Sequence, residues 1–256
     1  MARVFITGST DGLGLAAART LLREGHDVVL HARSRKRAEV LSDLARRAKG
    51  VAIGDLASKR DTRAVADQVN ALGHMDAVIH NAGVYLEPAR GSTPEGHATT
   101  LAVNVLAPWM LTAWIQRPKR LIYLSSGLHR DGGGSLDDID WTRRKWNAGK
   151  AYAESKLHLV ALAISIARRW PDVSSNAVNP GWVPTKMGGP DATDDLEEGH
   201  LTQTWLAVGK DPEAKFSGGY WHHRQREKPA AEALDPDLRE KLVEKLEGLT
   251  GVRLPH

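Results

Sequence analysis

The chain has 256 residues, 41% of them hydrophobic, and this size suits one domain built around a single core. It contains no cysteine, which excludes disulfides, thiol nucleophiles and thiolate metal sites and favours a reducing, intracellular setting. The net charge of +4 comes from bases interleaved with acids. We therefore interpret the basic clusters at residues 33–37 and 143–145 without a nucleic-acid partner.

The beginning of the chain leads at once into a strand-like segment, VFIT. The order of a signal peptide, which is a basic segment, a long apolar segment and a cleavage site, is missing there. The longest apolar run, residues 159–167, is too short to span a bilayer. We expect a cytoplasmic protein with no membrane span.

Short apolar runs rich in Val, Ile and Leu recur along the chain, and their continuous character is typical of strands buried on both faces. Helix-like segments such as residues 15–25 separate them. This alternation predicts the α/β class, a single-domain Rossmann fold with a doubly wound parallel sheet and helices on both faces. The predicted strands are residues 3–8, 27–32, 50–55, 76–81, 120–126 and 175–181.

A glycine-rich turn ends the first predicted strand and opens a helix. Glycines let the backbone approach a pyrophosphate, and the free amides at the helix N-terminus supply hydrogen bonds and a positive dipole. A glycine turn without a ligand is the alternative, but the strand-to-helix context favours a nucleotide. The residues expected to bind it are Gly8, Ser9, Thr10, Asp11, Gly12, Leu13 and Gly14.

The end of the second predicted strand indicates which dinucleotide binds. An acid at this place bonds the ribose 2′-hydroxyl of NAD, whereas an arginine accommodates the 2′-phosphate of NADP. Here Ala32 and Arg33 stand where the acid would be, and Ser34 and Arg37 follow. The sequence therefore favours NADP(H), bound by Arg33 with help from Ser34 and Arg37, and NAD(H) is the alternative.

Further motifs follow in chain order: DL at 55–56, HNAG at 80–83, VN at 103–104, LSS at 124–126, YAESK at 152–156 and NPGWVPT at 179–185. With TGSTDGLG at 7–14, they make residues 3–185 resemble the short-chain dehydrogenase/reductase family. The resemblance implies a seven-stranded parallel sheet ending in residues 218–222, and hydride transfer between a nicotinamide and a carbonyl or alcohol group.

The resemblance also implies further cofactor contacts. The adenine lies near the side chain of Asp55 and the backbone of Leu56, while Lys156 bonds the nicotinamide ribose hydroxyls beside Tyr152. The residues that line the adenine ribose are Asn81, Ala82 and Gly83. Those that touch the nicotinamide amide and the pyrophosphate are Pro180, Gly181, Val183 and Thr185.

Tyr152 and Lys156 lie four residues apart, which places them on one face of a helix. A phenol has a pKa of about 10 and is a poor acid or base at neutral pH, but a nearby cation lowers that pKa. We therefore predict Tyr152 as the general acid/base and Lys156 as the group that lowers its pKa. By resemblance, Ser126 donates to the substrate oxygen and Asn104 holds a water that relays protons. A surface helix contact is the alternative for the pair.

Two features depart from the simplest members of the family. Between Ser126 and Tyr152 lies a long insert, and the segment at 235–251 has the composition of an added helix. Both resemble the retinol-dehydrogenase-like and protochlorophyllide-reductase-like branch. His80 replaces the first Asn of the usual NNAG motif, which leaves Asn81 in place.

The helix after Lys156 is apolar on nearly all sides. One face can cover the sheet, and the other predicts a partner subunit in a homodimer or homotetramer. The alternative is that the C-terminal segment, residues 223–256, covers it. No histidines and acids stand at metal-ligand spacing, so no metal site is expected.

The substrate region is the least readable part of the sequence. Residues 186–206 are predicted to form a substrate lid, whose acidic stretch indicates a solvated loop. Tryptophans near the predicted cleft favour an apolar wall for a small carbonyl or alcohol substrate, and packing in the core or on the surface is the alternative. These tryptophans are Trp109, Trp141, Trp146, Trp182 and Trp205.

Two other functions are compatible with the same fold. The first is a dehydrogenase that prefers NAD(H). The second is a non-catalytic regulatory protein that senses NADP, although such a protein does not need the Tyr152 and Lys156 pair that is present here.

Overall fold

The structure, a computed structural model, describes residues 1–255, so the last residue of the predicted C-terminal segment lies outside the described residues. One sheet runs through the molecule. Its strands are β1 Arg3–Ile6, β2 Asp27–Ala32, β3 Gly50–Ile53, β4 Ala77–His80, β5 Arg120–Leu124, β6 Ser174–Asn179, β7 Tyr220–His222 and β8 Gln225–Glu227. Their spatial order is β3-β2-β1-β4-β5-β6-β7-β8.

All six predicted strands are confirmed, and β7 confirms the strand that the resemblance implied. The strands β1 to β7 all run parallel to one another. The sheet order reverses direction between β1 and β4, and this switch point opens a crevice at the carboxyl ends of the strands.

The expected count of seven strands is corrected to eight. After β7 the chain turns back and β8 pairs with it antiparallel, in the register Tyr220↔Glu227 and His222↔Gln225. The two-residue turn, His223 and Arg224, has positive φ angles of 48° and 62°. Positive φ at both turn residues is the geometry of a tight hairpin. Neither turn residue is glycine or asparagine, so the sequence carried no turn signal here.

Helices cover both faces of the sheet. They are α1 Gly12–Arg23, α2 Arg35–Glu39, α3 Ser42–Arg47, α4 Lys59–Ala71, α5 Thr99–Leu101, α6 Ala107–Trp114, α7 Ala148–Arg169, α8 Leu196–Val208, α9 Ala231–Leu234 and α10 Pro236–Thr250. A π-helical turn, Ala102–Leu106, joins α5 to α6. Two 3-10 turns lie at Gly127–Asp131 and Glu213–Lys215. No helix within residues 1–255 is long and apolar enough to cross a bilayer.

The core has two layers because side chains alternate along each strand. In β1, Phe5 points into the layer beneath α4, α6 and α7, whereas Val4 and Ile6 point into the layer beneath α1 and α8. All three are fully buried. A sheet that is buried on both faces explains why its strands are continuous apolar runs in the sequence.

The apolar helix α7 is covered within its own chain. Residues 151–166 are all buried, and α10 packs across the helix together with α9. α10 is well delimited, since Asp235 caps its start, Pro236 follows at the first position, and Gly251 ends it with a φ of 65°. The argument for a partner subunit is thereby corrected, because the C-terminal segment covers the face. A homodimer or homotetramer stays a prediction without that support.

A charged network fastens the insert between β5 and α7. The guanidinium of Arg144 forms two hydrogen bonds of 2.8 Å with the buried carboxylate of Glu154 on α7. It also lies 3.8 Å from the ring of Trp141, whose indole N–H donates to Glu154 at 3.0 Å. Asp138 accepts hydrogen bonds from the backbone amides of residues 142–144 and closes this part of the insert. The insert is therefore a packed element rather than a loose loop.

Candidate active site

The glycine-rich turn lies at the switch point and is held by a histidine of β2. The amide of Gly8 donates to Nδ1 of His31 at 2.9 Å, and Nε2 of His31 contacts the carbonyl of Gly54 at 2.9 Å. Because Nδ1 accepts a hydrogen bond, the proton of the neutral ring is on Nε2. Burial lowers the pKa of His31 to about 4, which keeps the ring neutral. No pattern in the sequence indicates this role for His31.

Two glycines of the turn are required by close packing. Asn81 donates from Nδ2 to the carbonyls of Thr7 and Gly8, at 2.9 and 3.2 Å. A Cβ on Gly14 would lie 2.5 Å from that nitrogen and 2.5 Å from the Gly8 oxygen. Gly12 has a φ of +49° and begins α1, where Asp11 caps the helix by accepting from its amide. The free amides at this end of α1 can bind a pyrophosphate.

A long cleft of about 450 Å³ runs along the carboxyl edge of the sheet. It brings together most of the residues that the sequence assigns to the cofactor. Those that line it are Gly8, Thr10, Asp11, Gly12, Leu13, Arg33, Asp55, Leu56, Asn81, Ala82, Gly83, Tyr152, Lys156, Pro180 and Thr185. These residues fit a dinucleotide, because glycines and free amides lie at one place in the cleft and an exposed arginine at the end of β2 lies at another.

Four predicted cofactor residues of the turn and of the end of β2 do not line the cleft. Ser9 is fully buried and ties β1 to β2, since its hydroxyl accepts from the amide of His31 at 2.7 Å. Ser34 caps α2. Gly14 packs as described above. Arg37 donates to the side chains of Thr10 and Asp11 at 3.3 Å. Their placement supports the turn, and Arg33 is the one basic residue of its cluster that lines the cleft.

Tyr152 and Ser126 lie together near the middle of the crevice. Tyr152 is buried in α7, and it lines the same cleft as Ser126, which follows β5. Burial raises the pKa of Tyr152 to about 12, against the lowering effect of the neighbouring Ser126 hydroxyl. The ring of Tyr85 meets that of Tyr152 edge to face at 4.5 Å. The phenol is thus protonated at neutral pH in the cofactor-free protein.

Lys156 is buried one turn further along α7. Its Nζ donates to the carbonyl of Leu124 at 2.7 Å and lies 5.4 Å from the centre of the Tyr152 ring. Burial lowers the pKa of Lys156 to about 8. The hydrogen bond of Nζ thus goes to a carbonyl rather than to the phenol, and burial of Tyr152 raises the pKa of its phenol in spite of the nearby lysine.

Asn104 lies in the π-helical turn, fully buried and outside the lining of the cleft. Its Oδ1 accepts from the amide of Val84 at 2.8 Å, and its Nδ2 donates to the carbonyl of Val84 and to the hydroxyl of Ser155, at 3.1 and 2.9 Å. Its amide thus connects the segment after β4 with α7. π-helical turns are often found at functional sites, because the extra residue shifts the helix ladder.

The main chain of Ser126 is held by two residues that sequence reasoning missed. Its carbonyl contacts Nδ1 of His129 at 2.8 Å and accepts from the hydroxyl of Tyr220 at 3.3 Å. The amide of Ala230 donates to Nε2 of His129 at 3.0 Å, so the ring proton lies on Nδ1 and points at Ser126. Burial lowers the pKa of His129, which favours this neutral form.

A second cleft, of about 510 Å³, adjoins the first. Tyr152 lines both clefts, and Ser126, Gly181 and Val183 line only the second, on the side away from β2. Residues 186–195 of the predicted lid form a loop, and α8 follows. Met187 of that loop lines both clefts. The movement of a lid stays a prediction.

Only one of the five predicted cleft tryptophans, Trp182, lines this second cleft. Trp109 is fully buried in the core, and Trp141 packs against Trp146 beside the insert. Trp205 packs against Trp221 on the other face of the sheet. The apolar wall that the tryptophans predicted is therefore reduced to one indole.

Comparison with known proteins identifies the family. A protein-family model described as enoyl-(acyl carrier protein) reductase matches residues 8–213. The chain is 43% identical to the short-chain dehydrogenase chry4 of Gibberella zeae, over 100% of this chain and 99% of that protein, and 42% identical to the short-chain dehydrogenase chyC of Penicillium rubens over the full length of both. The chain belongs to the short-chain dehydrogenase/reductase family, and it is an oxidoreductase acting on C=O or CH–OH groups.

Solved structures agree on the fold. The crystal structure of an uncharacterised protein from Mycobacterium paratuberculosis superposes with a TM-score of 0.85 at 25% identity, covering 100% of this chain and 96% of that one. The predicted resemblance to the retinol-dehydrogenase-like branch is also seen at lower identity. Retinol dehydrogenase 13 of Homo sapiens is 29% identical over 98% of this chain and 85% of that protein.

Proposed function

We propose that the protein is an NADP(H)-dependent oxidoreductase that interconverts a carbonyl and an alcohol, with Tyr152 as the general acid/base. The observation that carries the proposal is that Tyr152 lines both clefts and that Ser126 lines the second cleft with it. A substrate in the second cleft can reach both hydroxyls. A nicotinamide cofactor bound in the first cleft supplies or accepts the hydride.

The chain's own residues handle the substrate oxygen. In the reducing direction, this oxygen gains negative charge and needs hydrogen-bond donors and a proton. Ser126 donates a hydrogen bond to it, and Tyr152 gives up its phenolic proton. The buried ammonium of Lys156 stabilises the phenolate that remains, because a positive charge at short range favours the charged form. In the oxidising direction Tyr152 takes the proton back.

The preference for NADP(H) rests on charge at the end of β2. Arg33 is exposed and lines the first cleft, and Ala32 beside it is neutral. The planar guanidinium suits a phosphate group, and no acid at this position repels one. Asp55, which follows β3, lines the same cleft and is assigned to the adenine.

The catalytic assignment is tested by mixing the protein with NADPH and a panel of ketones, aldehydes and quinones and recording the loss of reduced nicotinamide. Tyr152→Phe removes the proton donor and is expected to lower kcat by at least about 100-fold, the usual contribution of a general acid. Ser126→Ala should lower kcat as well. Full activity of Tyr152→Phe, or no oxidation of NADPH with any compound, contradicts the proposal.

The cofactor preference is tested by the dissociation constants of NADPH and NADH. Arg33→Ala is expected to weaken NADPH binding roughly 10-fold and to leave NADH unchanged, because only NADPH loses a charge-assisted hydrogen bond. Lys36→Ala is the matched control, since this exposed neighbour does not line the cleft. Tighter binding of NADH than of NADPH by the unmodified protein would establish the NAD-preferring alternative.

A further inference from the structure

The second cleft has an unusual concentration of exposed apolar side chains around its mouth. Leu128, Trp182 and Met187 are 42%, 52% and 43% exposed, and all three line this cleft. Few large apolar side chains are so exposed in the part of the chain that the structure describes. An apolar patch that borders reactive hydroxyls is typical of a site for an apolar ligand.

Trp182 is held in place although it is half exposed. Its indole N–H donates to the carbonyl of Gly188 at 2.8 Å, and its backbone amide donates to the carboxylate of Asp194 at 2.6 Å. The amide of Asp194 donates in return to the carbonyl of Trp182 at 2.9 Å. Three hydrogen bonds therefore fix both the main chain and the ring of a side chain that buries only half of its surface.

The glycines beside Trp182 are required by this arrangement. Gly181 has a φ of +84°, and a Cβ there would collide with the Asp194 carboxylate. A Cβ on Gly188 would collide with the carbonyl of Val183. The loop from Gly181 to Asp194 thus packs tightly around the indole, and the exposed part of the ring is presented at the cleft rather than tucked into the core.

The charge of the second cleft narrows the class of ligand. Among the described residues, no lysine or arginine lines it. Asp194 is its acidic group, and His222 lines it with Nδ1 3.2 Å from the carboxylate of Glu227. A carboxylate or phosphate on the substrate would find no lysine or arginine there and would be repelled by the acid. The cleft therefore favours an uncharged substrate.

We infer that Trp182 is a stacking platform for the substrate, and that the substrate is an uncharged carbonyl compound carrying a planar aromatic ring. This inference rests on the proposed function, because Ser126 and Tyr152 have to reach the carbonyl. The indole offers a fixed aromatic face that loses little conformational freedom on binding. Tyr85 lines the same cleft and adds a second aromatic side chain.

Two ketones with the same carbon skeleton distinguish aromatic stacking on Trp182 from simple apolar contact. One is a methyl ketone that carries a naphthyl ring two carbons from the carbonyl, and the other is its fully hydrogenated decalin counterpart. The ring is not conjugated with the carbonyl in either, so both have the same intrinsic reactivity. The measurement is kcat/KM with NADPH for the wild type and for Trp182→Phe, Trp182→Leu and Trp114→Leu.

Trp182→Leu is expected to lower kcat/KM for the naphthyl ketone about 2- to 10-fold more than for the decalin ketone, because this is the usual size of an aromatic pair interaction. The difference should arise mainly from KM. Trp182→Phe keeps an aromatic ring and should retain most of the preference. Trp114→Leu, at a half-buried tryptophan of α6 remote from the cleft, should change neither ketone. Equal losses for both ketones in Trp182→Leu, or no loss, overturn the stacking role.

The stacking role of Trp182 can be tested separately from the proposed reaction. If the wild type reduces neither ketone, the same comparison is made on the dissociation constants of both ketones for the protein with NADP bound, measured by calorimetry. A naphthyl preference that Trp182→Leu removes then supports the platform even without turnover. Absence of that preference in binding overturns it. A naphthyl-to-decalin ratio within about 1.5-fold of that of the wild type counts as no change, because roughly 2-fold is the smallest expected effect.

Discussion

Burial governs the two ionisable groups of the proposed catalytic pair. It raises the pKa of Tyr152 to about 12 and lowers that of Lys156 to about 8, so each group is shifted toward its neutral form. The phenol keeps its proton over the whole neutral range, whereas the lysine loses its charge in the mildly alkaline range. Lys156, rather than Tyr152, is therefore the group that titrates within a practical pH range.

This difference predicts a pH dependence. The positive charge of Lys156 is present below its pKa and is lost as the pH rises through about 8. The value of kcat/KM for NADPH reports the free enzyme and is expected to be level below pH 8 and to fall above it. Lys156→Arg, which stays charged, should show a lower rate without the alkaline fall. A profile of the wild type that stays level well above this pH contradicts the assignment.

A second prediction at the residue scale concerns His129, which positions Ser126 through the serine's carbonyl. Asparagine places a donor near the position of Nδ1, whereas leucine has none. Both variants lose the acceptor for the Ala230 amide and should lose about 1–3 kcal/mol of stability.

The two His129 variants are expected to differ in activity. His129→Leu should lower kcat roughly 10- to 100-fold, because a small displacement of a reacting group is costly, while His129→Asn should recover most of it. Thermal unfolding checks that both variants lose similar stability. Equal kcat values in the two variants would show that His129 matters only for folding.

At the residue scale, the sequence predicted the site residues that belong to motifs of neighbouring residues. Tyr152 and the glycine turn were predicted because their spacing along the chain indicates one helix face and a strand-to-helix turn, whereas Ser126 was predicted from the family resemblance. His31, His129 and Tyr220 were missed, since each acts through a partner that is distant in the sequence. A lone histidine in a strand or turn has no pattern that reveals such a partner.

At the scale of the elements, strands were easier to predict than what covers them. Continuous apolar runs define β1 to β6 because both of their faces are buried. Cover of α7 by the C-terminal segment, which contains α10, was predicted only as the alternative to a partner subunit, since an apolar helix face does not say which surface meets it. The short strand β8 has a polar sequence, and only its pairing with β7 makes it a strand.

The network that fastens the insert to α7 gives a prediction at this scale. Glu154 is 5% exposed in its side chain and is paired with Arg144. Arg144→Leu leaves a buried carboxylate without its cation and is expected to cost about 3–5 kcal/mol. Removing both charges in Arg144→Leu/Glu154→Leu should recover a large part of that loss.

Chemical denaturation of the two single variants and the double variant measures the coupling. Asp137→Ala serves as a control, because this exposed acid of the insert makes no side-chain ion pair with α7. Additive losses in the double variant would mean that Arg144 and Glu154 do not stabilise the molecule as a pair.

At the scale of the whole molecule, the chain buries its most apolar helix by itself. Leu246 of α10 is fully buried against α7, whereas Glu244 on the opposite side of α10 is exposed. Leu246→Ala is expected to lower the free energy of unfolding by about 2–5 kcal/mol, through lost apolar contact and the cavity that remains. Glu244→Ala should change it by less than about 0.5 kcal/mol.

The same pair of variants bears on subunit association. Size-exclusion chromatography of the wild type gives the oligomeric state, and Leu246→Ala should not change it if α10 serves only its own chain. A shift of the wild-type oligomer to smaller species in Leu246→Ala would show instead that this region also holds subunits together. The experiment therefore separates the cover within the chain from an interface between chains.

The hairpin that closes the sheet also affects how the molecule behaves at high concentration. A sheet that stopped at β7 would leave a row of unpaired amides and carbonyls open to a strand from another molecule. β8 occupies that row, and its own outer rim is three residues long, with Gln225 and Arg226 exposed. Short, charged rims are poor templates for strand addition, so this side of the molecule is protected from edge-to-edge aggregation.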